Sequence, residues 1–272
     1  MPLPCGRLAE VQGAGVSEVL LSHDPADGVR VLTLHRPERR NALNQILLHE
    51  LSDAMDAAAA SASVRAVVLA GDRLAFCAGA DIREMQQTDA AGIGSRTAES
   101  LWRKVEAFEK PLLAAVAGVA FGGGLELALL CDLIILGENA RLALPEVKIG
   151  AMPGGGGTQR LHRAVGKTLA TMMLLTGDEI DAQTAVRSGL AVKTVATDAV
   201  VDEAVRLASR IAANAPLAVR SAKAALVAAN CMHLAEGLAL ERALHDKVFA
   251  SADRREGMAA FLQKRPARFQ GC

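Results

Sequence analysis

The pattern of apolar and polar residues near the start of the chain predicts two strands followed by a helix. Residues 16–21 and 29–35 have strand-like composition, and the second segment alternates between apolar and polar positions. The turn-rich sequence DPADG joins them. Residues 46–60 carry apolar side chains at helical spacing, and Asn41 or Asn44 is available to cap this helix.

Strand-like and helix-like segments alternate through the middle of the chain. Strand patterns occupy residues 65–70, 112–117 and 133–136. Helical patterns occupy residues 81–87, 99–108 and 125–130, and the glycines at 92 and 94 permit a mobile loop. This strand–turn–helix rhythm repeats three times within about 120 residues, which predicts an α/β fold with stacked units.

The last part of the chain is helical in pattern. After PEVKIGAMPGGGG, four successive helices are predicted at residues 200–214, 217–230, 234–251 and 254–264. No proline-rich or low-complexity linker separates them from the preceding part. We therefore expect these helices to pack on the core or on a neighbouring subunit, and not to form an independent domain.

Composition and charge exclude several classes of function. The 30 basic and 30 acidic residues cancel, so the basic excess of a general nucleic-acid or membrane-surface protein is missing. Five widely spaced cysteines form no CxxC pair, which argues against a disulfide framework or a zinc site. The first residues lack the apolar core of a signal peptide. Together these features predict a cytoplasmic protein.

Glu126 and Asp132 are the only charged residues in an apolar run that extends from Leu112 to Leu136. The run is long enough to span a bilayer, but a carboxylate near its centre beside three glycines is costly there and favours a protein core. An unpaired buried carboxylate costs several kcal/mol or acquires a raised pKa. The position of Glu126 therefore needs an explanation.

The sequence FGGGLE places Glu126 in the first turn of a predicted helix, beside a possible anion site. Three glycines that open a helix expose backbone N–H groups and the positive end of the helix dipole, which together can bind an anion. A structural alternative is that Glu126 only caps this helix. Asp132 is predicted to be a structural turn residue and Asp81 an N-cap. Glu146, in LPEVKIG, gains chemical interest only if the fold brings it close to Glu126.

Other familiar motifs fail on spacing. VGKT at residues 165–168 lacks the glycine that a phosphate-binding P-loop requires at Leu161. The glycines at 154–157 lack the GxGxxG spacing of dinucleotide-binding folds. The six histidines form no HExxH motif and no Ser or Cys partner motif. Metal and triad chemistry therefore have no support.

Three segments in this order, AFCAGADI, AAVAGVAFGGGLELALLCD and LPEVKIGAMPGGGGTQRL, resemble the crotonase family of enoyl-CoA hydratases and isomerases. The resemblance covers nearly the whole chain, from RPERRNALN to the terminal REGMAAFLQKRPARF. It implies an α/β spiral of stacked ββα units and homotrimers, usually paired into homohexamers. On this basis we divide the chain into a spiral core with the acyl-CoA site (1–198) and a C-terminal helical region for oligomerisation and completion of the CoA site (199–272).

The resemblance also implies roles for particular residues. The thioester carbonyl would lie between the N–H groups of Ala80 and Gly123, and Glu126 and Glu146 would flank a water molecule. The residues implied in substrate or CoA binding are Ala78, Ala80, Asp81, Ile82, Arg83, Gly123, Phe261 and Lys264, the last two reaching CoA bound at a neighbouring subunit. Many members have cysteine at the position of Leu125, a difference not expected to alter the chemistry. CoA is part of the substrate, so no metal or other cofactor is expected.

The predicted function is an enoyl-CoA hydratase, with Glu126 as the base on water and Glu146 as the acid. A 3-enoyl to 2-enoyl CoA isomerase is the nearest alternative, but it needs only one carboxylate. PGGGGTQRL also resembles relatives described as binding AU-rich RNA, which zero net charge and 3% aromatic residues disfavour. A catalytically silent scaffold is disfavoured because both carboxylates are present. Within the family, the chain resembles the 2,3-dehydroadipyl-CoA hydratases.

Overall fold

The computed structural model describes residues 19–87 and 96–272. Its elements follow in the order β1 (Leu20–Ala26), β2 (Val29–Leu34), α1 (Gln45–Ala60), β3 (Ala66–Ala70), β4 (Ala75–Cys77), α2 (Ile82–Gln86), α3 (Arg96–Glu106), β5 (Leu112–Val116), β6 (Val119–Phe121), α4 (Gly123–Leu130), β7 (Leu133–Gly137), β8 (Arg141–Ala143), α5 (Gly157–Thr176), β9 (Ile180–Asp181), α6 (Ala182–Arg187), β10 (Lys193–Val195), α7 (Val200–Ala212), α8 (Pro216–Ala228), α9 (Leu234–Phe249) and α10 (Ala252–Leu262). Single 3₁₀ turns occupy Pro37–Arg39, Glu146–Ile149 and Thr197–Ala199.

The larger sheet has six strands in the order β1-β2-β3-β5-β7-β10. Only the β1–β2 pair is antiparallel, and the other neighbours are parallel. Every residue of β3 and β5 is buried, because helices cover both faces of this sheet. Strands buried on two faces are apolar throughout, which is why AVVLA and LLAAV show no alternation.

Successive residues of the central strands point into two separate apolar clusters. Val67 and Leu69 join the cluster that includes α1, α3 and α4, whereas Ala66 and Val68 face the other side. There they meet α7 through residues spaced four apart, namely Val200, Ala204, Ala208 and Ala212. The first helix of the predicted C-terminal region thus covers the sheet, while the assignment of that region to oligomerisation stays a prediction.

The smaller sheet, ordered β4-β6-β8-β9, places the loops that concern function. Strands β4, β6 and β8 are parallel to one another. Since the carboxyl ends of parallel strands meet at one edge of a sheet, the loops that follow these three strands converge. Those loops begin at Ala78, Gly122 and Leu144. The three strands have only three residues each, and the sequence did not predict them.

Most predicted helices are confirmed, and the first strand is present but extends further than predicted. The four C-terminal helices agree with α7 to α10 within a few residues, and α1 is capped by Asn44, whose Oδ1 accepts a hydrogen bond from Leu47 N at 3.0 Å. The strand predicted at 16–21 is β1, which instead extends to Ala26, so part of DPADG is strand and the turn lies at Asp27 and Gly28. Residues 16–18 and the predicted loop glycines 92 and 94 lie outside the described residues.

The first helix after PEVKIGAMPGGGG is α5, for which the sequence predicted no bounds, and it bends at Gly166, where φ is 79° and ψ 171°. Helices α8 and α9 pack against each other, and α10 is followed by a tail to Cys272. In the part of the chain that the structure describes, no helix is long and apolar enough to cross a membrane. Leu112–Leu136, the run that raised this question, is folded as β5, β6, α4 and β7.

Candidate active site

The N-terminus of α4 lies directly against the end of β4, and glycines make this contact possible. A Cβ on Gly124 would lie 2.1 Å from the carbonyl oxygen of Cys77, and one on Gly79 would lie 2.9 Å from that of Phe121. Gly79 also has φ +101° and Gly122 φ +51°, backbone conformations that side chains other than glycine rarely adopt. The glycines of AGAD and FGGG therefore bring two backbone segments into contact.

Two backbone N–H groups are left without acceptors at this contact. Ala80 forms a parallel bridge with Leu43, in which Leu43 N donates to Gly79 O at 2.7 Å and Asp81 N donates to Leu43 O at 2.9 Å. Successive N–H groups of extended backbone point to opposite sides, so Ala80 N–H points away from Leu43. Gly123 is the first residue of α4 and has no intrahelical acceptor. Among the described residues, neither the Ala80 N–H group nor the Gly123 N–H group has a hydrogen-bond acceptor.

The two free N–H groups lie close together, since a Cβ on Gly79, the residue before Ala80, would lie 3.6 Å from Gly123 N. A Cβ on Gly123 would lie 3.8 Å from Ala80 N and 3.5 Å from Leu43 Cδ1. No backbone atom would prevent such a Cβ from fitting, so the glycine keeps this space open. Two convergent donors, one of them at a helix N-terminus, form a site suited to an oxygen atom that acquires negative charge.

The residues after Ala80 form one side of this space. Asp81 caps α2, accepting a hydrogen bond from Arg83 N at 3.3 Å, and pairs with Arg36 at 3.2 Å. This confirms the predicted N-cap. Ile82 is 58% exposed, and Arg83 is also exposed. Both are available to a ligand lying across the start of α2.

Glu126 is buried, with 4% of its surface exposed, and it lies in the first turn of α4. Its Oε1 accepts hydrogen bonds from Gly155 N and Gly157 N, both at 2.8 Å. Gly157 is the first residue of α5, so the carboxylate binds the N-terminus of a second helix. Among the described residues, nothing donates to Oε2. The alternative that Glu126 only caps its own helix is therefore wrong, because Oε1 binds the start of α5 and α4 has no side-chain cap.

Glu146 lies near enough to Glu126 for the charge of Glu126 to affect its pKa, which is the condition that made Glu146 of chemical interest. A Cβ on Gly122 would lie 3.1 Å from Glu146 Oε1, which places this carboxyl group beside the start of α4. Its Oε2 is buried and has no hydrogen-bond partner in the described structure. A buried carboxylate oxygen without a donor is costly. The surroundings therefore favour the neutral acid form of Glu146.

Burial raises the pKa of both glutamates, and their other surroundings differ. For Glu126, hydrogen bonds from Gly157 N and Gly155 N and the charge of Arg160 oppose the effect of burial on the pKa. For Glu146, burial raises the pKa, a hydrogen bond from its own backbone lowers it, and the charge of Glu126 raises it further. Two interacting carboxyl groups titrate as a pair. At Glu126 two backbone N–H groups and Arg160 oppose the effect of burial on the pKa, whereas at Glu146 the neighbouring charge acts in the same direction as burial.

Comparison with known proteins identifies the family of this chain. The family model of enoyl-CoA hydratase/isomerase matches residues 24–272. The chain belongs to this family. A curated relative, the 2,3-dehydroadipyl-CoA hydratase of Escherichia coli K12, is 47% identical over 94% of this chain and 100% of its own length. The mitochondrial enoyl-CoA hydratase of Pongo abelii is 46% identical over 89% of this chain and 83% of its own length.

Solved structures of the enoyl-CoA hydratase/isomerase family share the fold. The crystal structure of an enoyl-CoA hydratase from Bacillus anthracis has a TM-score of 0.90 and 34% identity, covering 93% of this chain and all of that one. The predicted crotonase fold and the predicted enzyme class, enoyl-CoA hydratase, are confirmed by these relatives. The predicted roles of individual residues stay predictions.

Two predicted ligand residues lie outside the convergent loops. Phe261, at the end of α10, is 83% exposed, and Lys264, three residues later, has φ +53°.

Asp132 is structural as predicted, since its Oδ2 accepts a hydrogen bond from Leu112 N at 2.8 Å and pairs with Lys223 at 2.7 Å. Cys77, on β4, is buried, which raises the pKa of its thiol to about 12 and keeps it neutral.

Sequence reasoning missed the residues that hold Glu126 from the other side. They are Trp102, Gly155, Gly157 and Arg160. A Cβ on Gly155 would lie 2.9 Å from Glu126 Oε2 and 3.0 Å from Trp102 Cε2, so the loop, the helix α3 and the carboxylate meet here. The signal was present: GGGGTQR, like FGGGLE, places glycines at the start of a helix, and the same argument about free N–H groups applies to both.

Proposed function

We propose that this protein adds water across the 2,3 double bond of a 2-enoyl-CoA thioester to give a 3-hydroxyacyl-CoA, by means of Glu126, Glu146 and the N–H groups of Ala80 and Gly123. The observation that carries the proposal is the pair of unlike carboxyl groups beside two unpaired N–H groups. Each of these features is costly in a structure without a ligand. All of them have a use in hydration of a thioester.

The two N–H groups stabilise the charge that develops during the reaction. When water attacks C3, the electrons of the double bond move towards the thioester carbonyl and give an enolate oxygen. An oxygen between Ala80 N and Gly123 N would accept two hydrogen bonds, and loss of one such donor typically costs about 3–4 kcal/mol of barrier. The helix dipole of α4 adds to this effect.

The two glutamates divide the proton transfers. Glu126, held as the anion through Oε1, uses its free Oε2 to take a proton from water while the water oxygen forms the bond to C3. Glu146, as the neutral acid, delivers a proton to C2 of the enolate. The products are the 3-hydroxyacyl thioester, a protonated Glu126 and an ionised Glu146. One proton moving from Glu126 to Glu146, directly or through water, restores the starting state.

The same residues disfavour the alternatives. An isomerase needs one carboxylate to carry a proton between C2 and C4, which would leave the second buried carboxyl group without a task. AU-rich RNA binding is not supported by a net charge of zero. No step of the proposed reaction requires a metal or redox cofactor, and CoA enters with the substrate.

The CoA portion of the substrate is proposed to lie across the start of α2. There the exposed Ile82 and Arg83 follow Asp81, and Ala78 precedes the oxyanion donor Ala80. Phe261 and Lys264 are proposed to reach CoA bound to a neighbouring subunit, in a homotrimer or a dimer of trimers. The support is that Phe261 is exposed together with its apolar neighbours Met258 and Leu262, and adjoining exposed apolar side chains are typical of an interaction surface.

The acyl group is proposed to carry a carboxylate at its far end. The support is the similarity to the E. coli enzyme named 2,3-dehydroadipyl-CoA hydratase, which the chain matches over that protein's whole length. Shorter 2-enoyl thioesters should also react, because their reacting atoms are the same and only the far end of the acyl group differs.

The test is a panel of CoA thioesters assayed with the purified protein. Hydration removes the conjugated absorbance of crotonyl-CoA, of a medium-chain 2-enoyl-CoA and of 2,3-dehydroadipyl-CoA, and we expect the highest kcat/KM with the last. A double variant, E126Q with E146Q, prepared in parallel controls for contaminating hydratase. Absorbance loss equal to that of the double variant would disprove hydration. A gain of conjugated absorbance from a 3-enoyl-CoA alone would indicate the isomerase.

A further inference from the structure

Arg160 connects the loop that binds Glu126 to helix α3. It lies in the first turn of α5, and its Nη1 donates to Gly155 O at 3.1 Å. Its Nη2 donates to Glu106 Oε1 at 2.8 Å, and Glu106 is the last residue of α3. The two Nη atoms of the guanidinium thus bind two different elements, one the loop and the other the neighbouring helix.

The carbonyl that Arg160 binds occupies a particular place in the loop. Gly155 O belongs to the peptide unit between residues 155 and 156. The peptide units on either side of it supply Gly155 N–H and Gly157 N–H, the two donors to Glu126 Oε1. Arg160 therefore holds the middle one of three consecutive peptide units, and the outer two hold the carboxylate.

Gly156 makes this arrangement possible. It has φ +100°, and a Cβ at this position would lie 1.8 Å from Arg160 Nη1. Any side chain at 156 would therefore displace the guanidinium as well as strain the backbone. The loop glycines have distinct roles, since Gly155 and Gly157 donate to Glu126 and Gly156 leaves room for Arg160.

The charged and titratable groups around Glu126 are few. Arg160 on α5 brings a positive charge that lowers the pKa of Glu126, and Glu146 brings a carboxyl group from the turn after β8. Glu106 on α3 pairs with Arg160. From β4, Cys77 packs against α4, but its thiol stays neutral because burial raises its pKa to about 12.

We propose that Arg160 is a positioning residue for the hydration reaction, which holds the loop 155–157 so that its two N–H groups grip Glu126 Oε1 and which places a positive charge beside that carboxylate. The inference rests on the proposed function, in which Glu126 is the base. Arg160 itself does not contact the reacting atoms. Its effect should therefore appear in kcat and in the pH dependence of the reaction, and much less in KM.

A merely structural role for Arg160 predicts a different result. The Arg160–Glu106 pair is partly exposed, with 27% and 59% of the side-chain surfaces accessible, and pairs of this kind contribute about 0–1 kcal/mol to stability. If the pair only joined α5 to α3, removal of either partner would lower the temperature of unfolding slightly. The shape of the pH profile would not change.

The kinetic test compares four variants under identical conditions. R160Q should lower kcat about 10- to 100-fold, because small misplacements of a catalytic group have effects of this size, with KM nearly unchanged. It should also move the acidic limb of the kcat profile to higher pH, since loss of a positive charge raises the pKa of Glu126. R160K keeps the charge but not the two Nη hydrogen bonds, so it should leave the limb in place and recover part of kcat.

The other two variants are controls. E106Q keeps Arg160 and its charge, so it should leave the limb in place or move it to lower pH. R163Q removes an arginine of the same helix whose Nη1 contacts Gln159 only, and we expect wild-type values. An R160Q enzyme whose acidic limb coincides with that of R163Q would overturn the proposal, whatever its kcat.

A titration that needs no activity separates this inference from the proposed function. In protein labelled with ¹³C at the glutamate carboxyl carbons, the Glu126 signal is assigned by its loss in E126Q. Its midpoint should move to higher pH in R160Q and not in R163Q. An unchanged midpoint in R160Q would refute the role of Arg160 even if the wild type hydrates enoyl-CoA. A shifted midpoint in a protein that hydrates no enoyl-CoA would instead refute the proposed function.

Discussion

Glu126 and Asp253 are both buried carboxylates that bind two backbone N–H groups, yet they use their oxygens differently. Asp253, on α10, is 3% exposed and Glu126 4%. Asp253 Oδ1 accepts from Gln270 N and its Oδ2 from Gly271 N, both at 2.7 Å. Glu126 receives both of its hydrogen bonds on Oε1, and Oε2 receives none from the described residues.

This difference separates a structural carboxylate from one that can act as a base. Both oxygens of Asp253 are occupied, so the group can only hold the C-terminal tail against the start of α10. Glu126 is stabilised and oriented through one oxygen, while the other keeps its lone pairs for a proton. The number of hydrogen bonds is the same, and their distribution over the two oxygens decides the role.

The largest expected effect is the loss of turnover in E126Q. The amide cannot take a proton from water, so kcat should fall about 10²–10⁴-fold, the usual range for loss of a general base. KM and the temperature of unfolding should change little. D253N is the matched variant, in which a buried acid becomes an amide without loss of catalysis. Turnover near that of the wild type in E126Q would exclude Glu126 as the base.

The opposite pattern is expected when Asp253 is removed. D253A leaves the N–H groups of Gln270 and Gly271 without their buried acceptor, at a cost on the order of 3 kcal/mol, which corresponds to a midpoint of thermal unfolding lower by roughly 6–12 °C. At a temperature where the variant remains folded, kcat should match the wild type. A kcat loss as large as that of E126Q, without a change in unfolding temperature, would contradict the structural role.

Adding one methyl group to the loop tests how tightly Glu126 is held. A Cβ on Gly155 would lie 2.9 Å from Glu126 Oε2 and 3.0 Å from Trp102 Cε2, so G155A should displace the free oxygen and lower kcat about 10-fold. G154A is the control, since a Cβ on Gly154 would meet no atom within 4 Å. Equal rates in the two variants would show that the position of Oε2 does not limit the reaction.

The sequence predicts the long elements and the separate catalytic groups of this protein, but not their convergence. Helices such as α1 and α9 have a periodicity that reports directly on burial. Strands β4, β6 and β8 have three residues each, too few for a pattern, and they are the strands that bring the loops of Ala80, Gly123 and Glu146 to one edge. The proximity of the two glutamates was therefore implied only by the family resemblance.

The hydrogen bonds that Gly155 N and Gly157 N donate to Glu126 also cannot be predicted from local sequence patterns. Gly155 and Gly157 lie about thirty residues beyond Glu126, and a hydrogen bond between such distant positions depends on how α5 packs against α4. Likewise, the distribution of two hydrogen bonds on one carboxylate oxygen is a property of three-dimensional geometry. The sequence singles out Glu126 by its apolar surroundings, but it does not show which of its oxygens is hydrogen-bonded.

The smallest expected effect concerns the pH dependence of stability that follows from the raised pKa of Glu146. Burial and the charge of Glu126 raise the pKa of Glu146 in the folded protein. Between its unfolded and folded pKa values the folded state binds more protons, so stability is lost as pH rises through this window, and the full cost remains above it. E146Q removes that cost. Its unfolding temperature should exceed that of the wild type by a few degrees near pH 8, and the difference should vanish towards pH 4, where both side chains are neutral.

E138Q, at an exposed position, should show no such pH-dependent gain. E146Q should also lose most of its turnover. A variant that is more stable but less active would mean that Glu146 serves the reaction and lowers the stability of the folded protein. An unfolding temperature for E146Q equal to or below that of the wild type near pH 8 would show that the free oxygen of Glu146 is not a cost to the folded state.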